Sequence, residues 1–121
     1  MAGRKPSSDL VGRWHIVSMT EWDEDYLNEE VQAFIEFRPR QQGAFQFGYV
    51  RGEIDYRITQ RDGKLAVEFS WAGNDEMDPA QGRGWAFLEG TELHGMIFFH
   101  CGDESGFVAR PFKEKQSRKG K

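Results

Sequence analysis

Cysteine, proline, basic charge and long apolar runs are all scarce in this chain of 121 residues. The single cysteine, Cys101, excludes an internal disulfide framework and any zinc site built from several cysteines. No run approaches the roughly 18 apolar residues of a membrane-spanning helix, so we expect no membrane partner. The 16 basic residues are outnumbered by 20 acidic ones, and this net charge of -4 argues against a nucleic-acid partner.

The few basic residues are concentrated at the two ends of the chain. Residues 1–8 and 113–121 together hold seven basic residues and one acidic residue, which leaves nine basic and nineteen acidic residues in 9–112. We therefore predict a single domain over 9–112 between two disordered basic tails, 1–8 and 113–121. No apolar segment follows Arg4 and Lys5, so the start does not resemble an export signal, and we expect a cytoplasmic protein.

Glycine and aromatic residues are abundant, with 14 Gly, 10 Phe and 4 Trp, and they follow an all-β pattern. Short segments rich in Phe, Ile, Val, Tyr and Trp alternate with glycine-containing turns, which favours sequential antiparallel strands. About eight strands are predicted, near 12–20, 32–38, 44–50, 53–61, 64–71, 82–89, 92–101 and 105–112. Such a meander favours an up-and-down barrel, with at most a short helical turn near 23–30.

Asp62-Gly63 is the clearest turn signal, because Asp-Gly favours a two-residue hairpin turn. The resulting register places apolar residues opposite one another on one face and polar residues on the other. The predicted pairs are Arg61 with Lys64, Ile58 with Val67, Arg57 with Glu68, Tyr56 with Phe69, Asp55 with Ser70, and Ile54 with Trp71.

A second turn at Arg51-Gly52 would extend this apolar face to a third strand. It would pair Phe45 with Ile58, Phe47 with Tyr56, and Tyr49 with Ile54. The three strands then form a sheet with one buried side.

The hairpin over residues 83–101 differs because both of its faces are apolar. A turn at Glu89-Gly90 places Ala86 opposite Leu93 and Trp85 opposite His94, and it puts Cys101 on the face that carries Ala86. An antiparallel strand that is apolar on both faces needs a cover for its outer surface. A homodimer through the 83–101 hairpin is one solution, and the tail or the segment 21–30 is another.

The first strand carries Gly12-Arg13-Trp14, and Arg110 lies on the last strand. A Gly-x-Trp motif at this place, with a distant arginine, resembles the calycin barrels, the lipocalins and fatty-acid-binding proteins. The resemblance implies that Trp14 closes the narrow end of the barrel and packs against Arg110, a cation–π type of contact. The chain departs from that family in being shorter than a lipocalin and in having no room for a helix pair between its first two strands.

Three further sequence segments resemble segments of a group of small bacterial proteins of uncharacterised activity. They are Glu68-Phe69-Ser70-Trp71, Gly82-Arg83-Gly84-Trp85 and Gly102-Asp103-Glu104-Ser105-Gly106-Phe107. This resemblance implies a bacterial, cytoplasmic setting and no particular reaction.

The residue types that perform chemistry are few and scattered. His94 and His100 are six residues apart, about 20 Å along a regular strand, so they cannot share a metal ion without a bulge. Cys101 directly follows His100, and their side chains point to opposite faces. The acidic residues Asp75, Glu76, Asp78, Asp103 and Glu104 fall in loops at one rim, where they are either turn residues or a cation or hydrolytic site.

The aromatic residues are the strongest functional signal. We expect a pocket for a small apolar or aromatic ligand. Its predicted lining is Phe47, Tyr56, Phe69, Trp71, Trp85, Phe98 and His100. No catalytic residue, metal or cofactor is predicted, which favours a non-enzymatic protein. The alternatives are a homodimeric interaction domain with a filled core, or a hydrolase or isomerase that uses the rim carboxylates.

Overall fold

Eight antiparallel strands close into a single up-and-down barrel in the computed structural model, which describes residues 9–112. The strands are β1 (Gly12–Met19), β2 (Phe34–Arg38), β3 (Gln42–Phe47), β4 (Val50–Arg61), β5 (Lys64–Asp75), β6 (Asp78–Glu89), β7 (Glu92–Phe99) and β8 (Glu104–Pro111). Each strand pairs with its neighbours in the sequence, and β8 pairs with β1. The predicted all-β meander of eight strands is confirmed. The predicted tails, 1–8 and 113–121, lie outside the described residues.

The β4–β5 hairpin has the register that its turn predicts. All six predicted pairs, from Arg61 with Lys64 to Ile54 with Trp71, are present. Asp62 and Gly63 both have positive φ, at 51° and 78°, as a two-residue type I′ turn requires.

The predicted β3–β4 register is wrong by six residues. Phe47 pairs with Val50 and Phe45 pairs with Gly52, so the turn lies at Gly48-Tyr49. Gly52 is a strand residue, and its lack of a side chain makes room for a neighbouring ring: a Cβ there would lie 2.6 Å from the Phe45 ring. Because six is an even number and side chains alternate along a strand, Phe45 and Phe47 keep the predicted inward face.

The predicted β6–β7 turn is displaced by one position. The turn is Gly90-Thr91, Leu88 pairs with Leu93, and Phe87 pairs with His94. The pairing shifts by two residues, an even number, so each side chain of β6 and β7 stays on its predicted face. Cys101 is the exception: β7 ends at Phe99, and Cys101 lies exposed in the following turn with φ 59°.

A four-residue helix, α1 (Glu24–Leu27), lies between β1 and β2, inside the predicted 23–30 segment. Asp23 caps it by accepting a hydrogen bond from the Tyr26 N–H at 3.0 Å. The buried Leu27 accepts a bond from the Gly48 N–H through its carbonyl at 2.9 Å, which holds α1 against the β3–β4 turn. The acidic stretch is therefore a capped turn at one end of the barrel. We call this end the mouth.

Candidate functional site

The predicted ligand-lining residues fall into three places. Phe47, Tyr56, Phe69 and Trp71 point inward and are buried. Trp85 and Phe98 lie on the outer face, because the alternate residues Gly84 and Ala86 oppose the inward Phe69 and Val67. His100 is exposed in the turn that follows β7. The structure therefore does not bring the seven residues into one pocket.

The four inward residues pack against other aromatic rings of the barrel. Trp71 meets Phe45 and Phe99 edge-on, with ring centroids 5.0 and 5.1 Å apart. Tyr56 meets Phe37 at 5.1 Å, and its hydroxyl donates to the Arg38 carbonyl at 2.6 Å. Burial raises the pKa of Tyr56, in keeping with this enclosed position. The interior around these rings is occupied by the protein's own side chains.

Trp22 completes the aromatic cluster at the mouth, and sequence reasoning missed it. Its ring lies 5.0 Å from Phe47 and 6.1 Å from Phe99, centroid to centroid. The acidic residues of the segment 21–30 favour a solvated turn, so the sequence does not indicate that Trp22 is packed. A helix cap at Asp23 next to it was the available signal that the run is folded against the barrel.

A cleft of about 520 Å³ lies on the outside of β4, β5 and β6, and we call it the mouth groove. Of the predicted ligand set, His100 and the Trp71 position border this groove, although the Trp71 ring itself points inward. Its lining is Glu53, Ile54, Asp55, Ser70, Trp71, Ala72, Gln81, Gly82, Arg83 and His100. The outward side chains of the central strand are small, Ser70 and Ala72, whereas those of the flanking strands are long, which makes a trough.

The walls of the mouth groove carry opposite charges. Glu53 and Asp55 stand on β4, and Arg83 stands on β6. Asp55 accepts a bond from Arg57 at 2.9 Å. Within residues 9–112, neither Glu53 nor Arg83 forms an ion pair. His100 joins the Arg83 side, since its N–H donates to the Gln81 carbonyl at 2.7 Å.

The expected closure contact between Trp14 and Arg110 is not formed. Trp14 points inward with 6% of its surface exposed, and its Nε1–H donates to the Leu10 carbonyl at 3.1 Å. Arg110 opposes His15 on the outer face, and 63% of its side chain is exposed. The two residues are on adjacent strands, but side-chain alternation places them on opposite sides of the barrel wall.

Arg110 is instead part of an outer chain of polar contacts centred on Glu92. Its Nε donates to Glu92 Oε2 at 2.9 Å, and His94 Nε2 lies 3.1 Å from Glu92 Oε1. The bond from Arg110, followed by that from His94, lowers the pKa of the Glu92 carboxyl. These contacts fix the side chains that border the outer face of β7.

The rim carboxylates do not assemble into a site. The prediction of Asp75 and Asp78 as loop residues is wrong, since they pair across the ends of β5 and β6; Asp103 lies exposed in the turn before β8, and Glu104 is the exposed first residue of β8. Glu76, at the hairpin tip, donates its N–H to the Tyr49 carbonyl at 2.9 Å. Across residues 9–112, no group of three or more His, Cys, Asp or Glu side chains is arranged to hold a metal ion.

An aromatic stripe runs along the outer face of β6, β7 and β8. Its members are all partly exposed: Trp85, Phe87, His94, Met96, Phe98 and Val108. The rings of Trp85 and Phe87 are stacked, and so are those of Phe87 and His94, with interplanar angles of 14° and 17°. The Arg61 guanidinium covers Trp85 at 3.9 Å from the ring centroid. A smaller cleft of about 270 Å³ lies beside the stripe around Gly106.

The chain forms a closed eight-stranded antiparallel barrel, and the mouth groove lies on the outer surface of this barrel. Comparison of the chain with family models, curated proteins and solved structures finds no match. Among the described residues, no helix has the length and apolar character needed to span a bilayer.

Proposed function

We propose that this chain is a non-enzymatic binding protein of calycin-like architecture, and that its small ligand occupies the mouth groove. One observation carries the proposal: a cleft of about 520 Å³ is lined by an acid, Glu53, and an arginine, Arg83, neither of which has an ion-pair partner among residues 9–112. Ligand sites are concave and present a few convergent polar groups, which this groove does.

We place the ligand outside the barrel because the inward aromatic rings already contact one another. Phe45, Phe47, Trp71 and Phe99 form a chain of ring contacts with centroid distances between 5.0 and 6.5 Å. An apolar ligand among them would have to displace well-packed side chains, at a cost that its own burial has to offset.

Amide chemical-shift mapping of the isotope-labelled chain against a library of small fragments tests the proposal. We expect fragments to shift the amides of residues 53–55, 70–72, 81–83 and 100. Ala72→Leu, which adds bulk to the exposed floor of the groove, should abolish these shifts. Gln60→Leu, an exposed apolar substitution outside the groove, should leave them unchanged. Shifts confined to inward residues of the barrel would contradict the groove and favour an internal ligand.

The aromatic stripe supports a second candidate function, homodimerisation through the 83–101 hairpin. Trp85, Met96 and Gly106 form one cross-strand row on β6, β7 and β8. Trp85 is a large ring at one end of this row, and the cleft around Gly106 at the other end extends to Trp85. A Cβ at Gly106 would lie 3.3 Å from Thr20 Cγ2 and 3.6 Å from the Met96 sulfur, so these side chains already lie over the glycine.

This row is complementary to itself. A twofold axis along β7 at Met96 would set Trp85 of each copy opposite Gly106 of the other, so that each ring meets the cleft around Gly106 of the partner copy. Closed twofold contacts of this kind are the commonest in small homo-oligomers. A second copy of the chain is therefore the occupant that the shape of the stripe favours.

Sedimentation equilibrium tests the dimer. We expect the wild-type chain to be dimeric at micromolar concentration. Gly106→Leu, which adds bulk to this cleft, should make it monomeric, and the exposed substitution Gln60→Leu should not. A wild-type monomer across this range would remove the dimer and leave the groove proposal intact.

A further inference from the structure

We propose that the ligand of the mouth groove is a short zwitterion, with its cationic nitrogen at β4 and its carboxylate at β6. This inference rests on the proposed function and names its ligand class. It follows from the order in which charges cross the three strands of the groove.

Two cross-strand rows set this order. Asp55 on β4 opposes Ser70 on β5, which opposes Arg83 on β6. In the neighbouring row, Glu53 opposes Ala72, which opposes Gln81. Both rows have an acid on β4, a small residue in the middle, and a hydrogen-bond donor on β6. The negative side of the groove is therefore on β4 and the donor side on β6 in both rows.

The two charged walls stand on strands that are not neighbours, and no ion pair joins them among residues 9–112. Adjacent strands are about 4.8 Å apart, so the backbones of β4 and β6 are separated by about 10 Å with β5 between them. Asp55 is engaged by Arg57 of its own strand, and neither Glu53 nor Arg83 has an ion-pair partner among residues 9–112. A molecule that lies across β5 can reach both charges.

The charge pattern selects among ligands. A dianion would place one negative group against Glu53 and Asp55, and a dication would place one positive group against Arg83; like charges so placed disfavour binding. A molecule with one charge of each sign satisfies both walls. Its stem would lie over Ala72, while the Ser70 hydroxyl and the Gln81 amide are available to polar atoms between the charged ends.

A set of three probes of matched length tests the inference: 6-aminohexanoate, hexylamine and hexanoate. Each is titrated at millimolar concentration into the full isotope-labelled chain. We expect 6-aminohexanoate to shift the amides of residues 53–55, 70–72, 81–83 and 100 in a saturable way. It should bind about tenfold more tightly than either singly charged probe, because each of those lacks one of the two charge contacts.

Charge-removing variants assign each end of the probe. Arg83→Gln should reduce the affinity for 6-aminohexanoate to that for hexylamine, and Glu53→Gln should reduce it to that for hexanoate. Arg40→Gln and Glu21→Gln, exposed charges outside the groove, should change neither affinity.

Equal binding of the three probes, or no binding of 6-aminohexanoate, overturns the inference. If uncharged fragments still shift the groove amides in that case, the proposed function stands and only the ligand class is wrong. If no small molecule shifts them, both are wrong.

Discussion

Arg110 and Glu92 are joined across the outside of β8 and β7 by a hydrogen bond of 2.9 Å from Nε to Oε2. The family resemblance places this arginine against Trp14, inside the wall. The structure pairs Arg110 with the Glu92 carboxylate on the outer surface. Trp14 and Arg110 therefore contribute to stability independently of each other.

Trp14→Ala should destabilise the barrel far more than Arg110→Ala. Removing a buried tryptophan costs about 3–5 kcal/mol, whereas an exposed ion pair contributes at most about 1 kcal/mol. Urea unfolding of both variants measures the difference in the free energy of unfolding. Comparable losses in the free energy of unfolding would instead indicate that the two residues are in direct contact.

The Glu92 contacts predict a pH dependence. Because Arg110 and His94 lower the folded-state pKa of Glu92 below its ordinary 4.5, this stabilisation is present above that pH and is lost as the pH falls through the folded pKa. Glu92→Gln should therefore be less stable than wild type near neutral pH and equal to it in strong acid. Thermal unfolding across the acid range tests this. A constant difference at all pH values would show that the charge of Glu92 contributes nothing.

Gly48 and Gly63 form a matched pair for a glycine-to-alanine test. Both have positive φ, at 57° and 78°, but a Cβ at Gly48 would lie 2.2 Å from the Tyr26 ring, while one at Gly63 meets open space. Gly63→Ala should cost about 1 kcal/mol from backbone strain alone, and Gly48→Ala should cost clearly more. Equal losses in urea unfolding would mean that α1 moves away from the mouth freely.

Tyr49 should ionise at a higher pH than an ordinary tyrosine. The nearby Glu29 carboxylate is the main cause of its raised pKa, with burial and Glu30 adding to it. Glu29→Gln should lower the Tyr49 pKa, as followed by ultraviolet absorbance in alkaline solution. Glu21→Gln is the control that should leave it unchanged. No response to Glu29→Gln would place the segment 28–31 away from Tyr49.

Local turn chemistry explains which hairpins were predictable. The β4–β5 register follows from Asp62-Gly63 because the pairs on both faces lie within a few residues of that turn. The β3–β4 turn was misplaced because Gly52 resembles a turn residue, while its actual role is to admit the Phe45 ring. That role depends on packing between strands and has no local signature.

The all-β meander, the eight strands and the face that each strand buries follow from the order of the residues, because alternation and turn residues act over short distances. The folded barrel was needed to show that Arg110 pairs with Glu92 and does not contact Trp14, and that Trp22 packs against Phe47 at the mouth. The closed barrel also places Glu53 and Arg83 in one groove, in neighbouring cross-strand rows on opposite sides of β5. These relationships join residues that are far apart in the chain, and they depend on the register of every strand around the closed barrel.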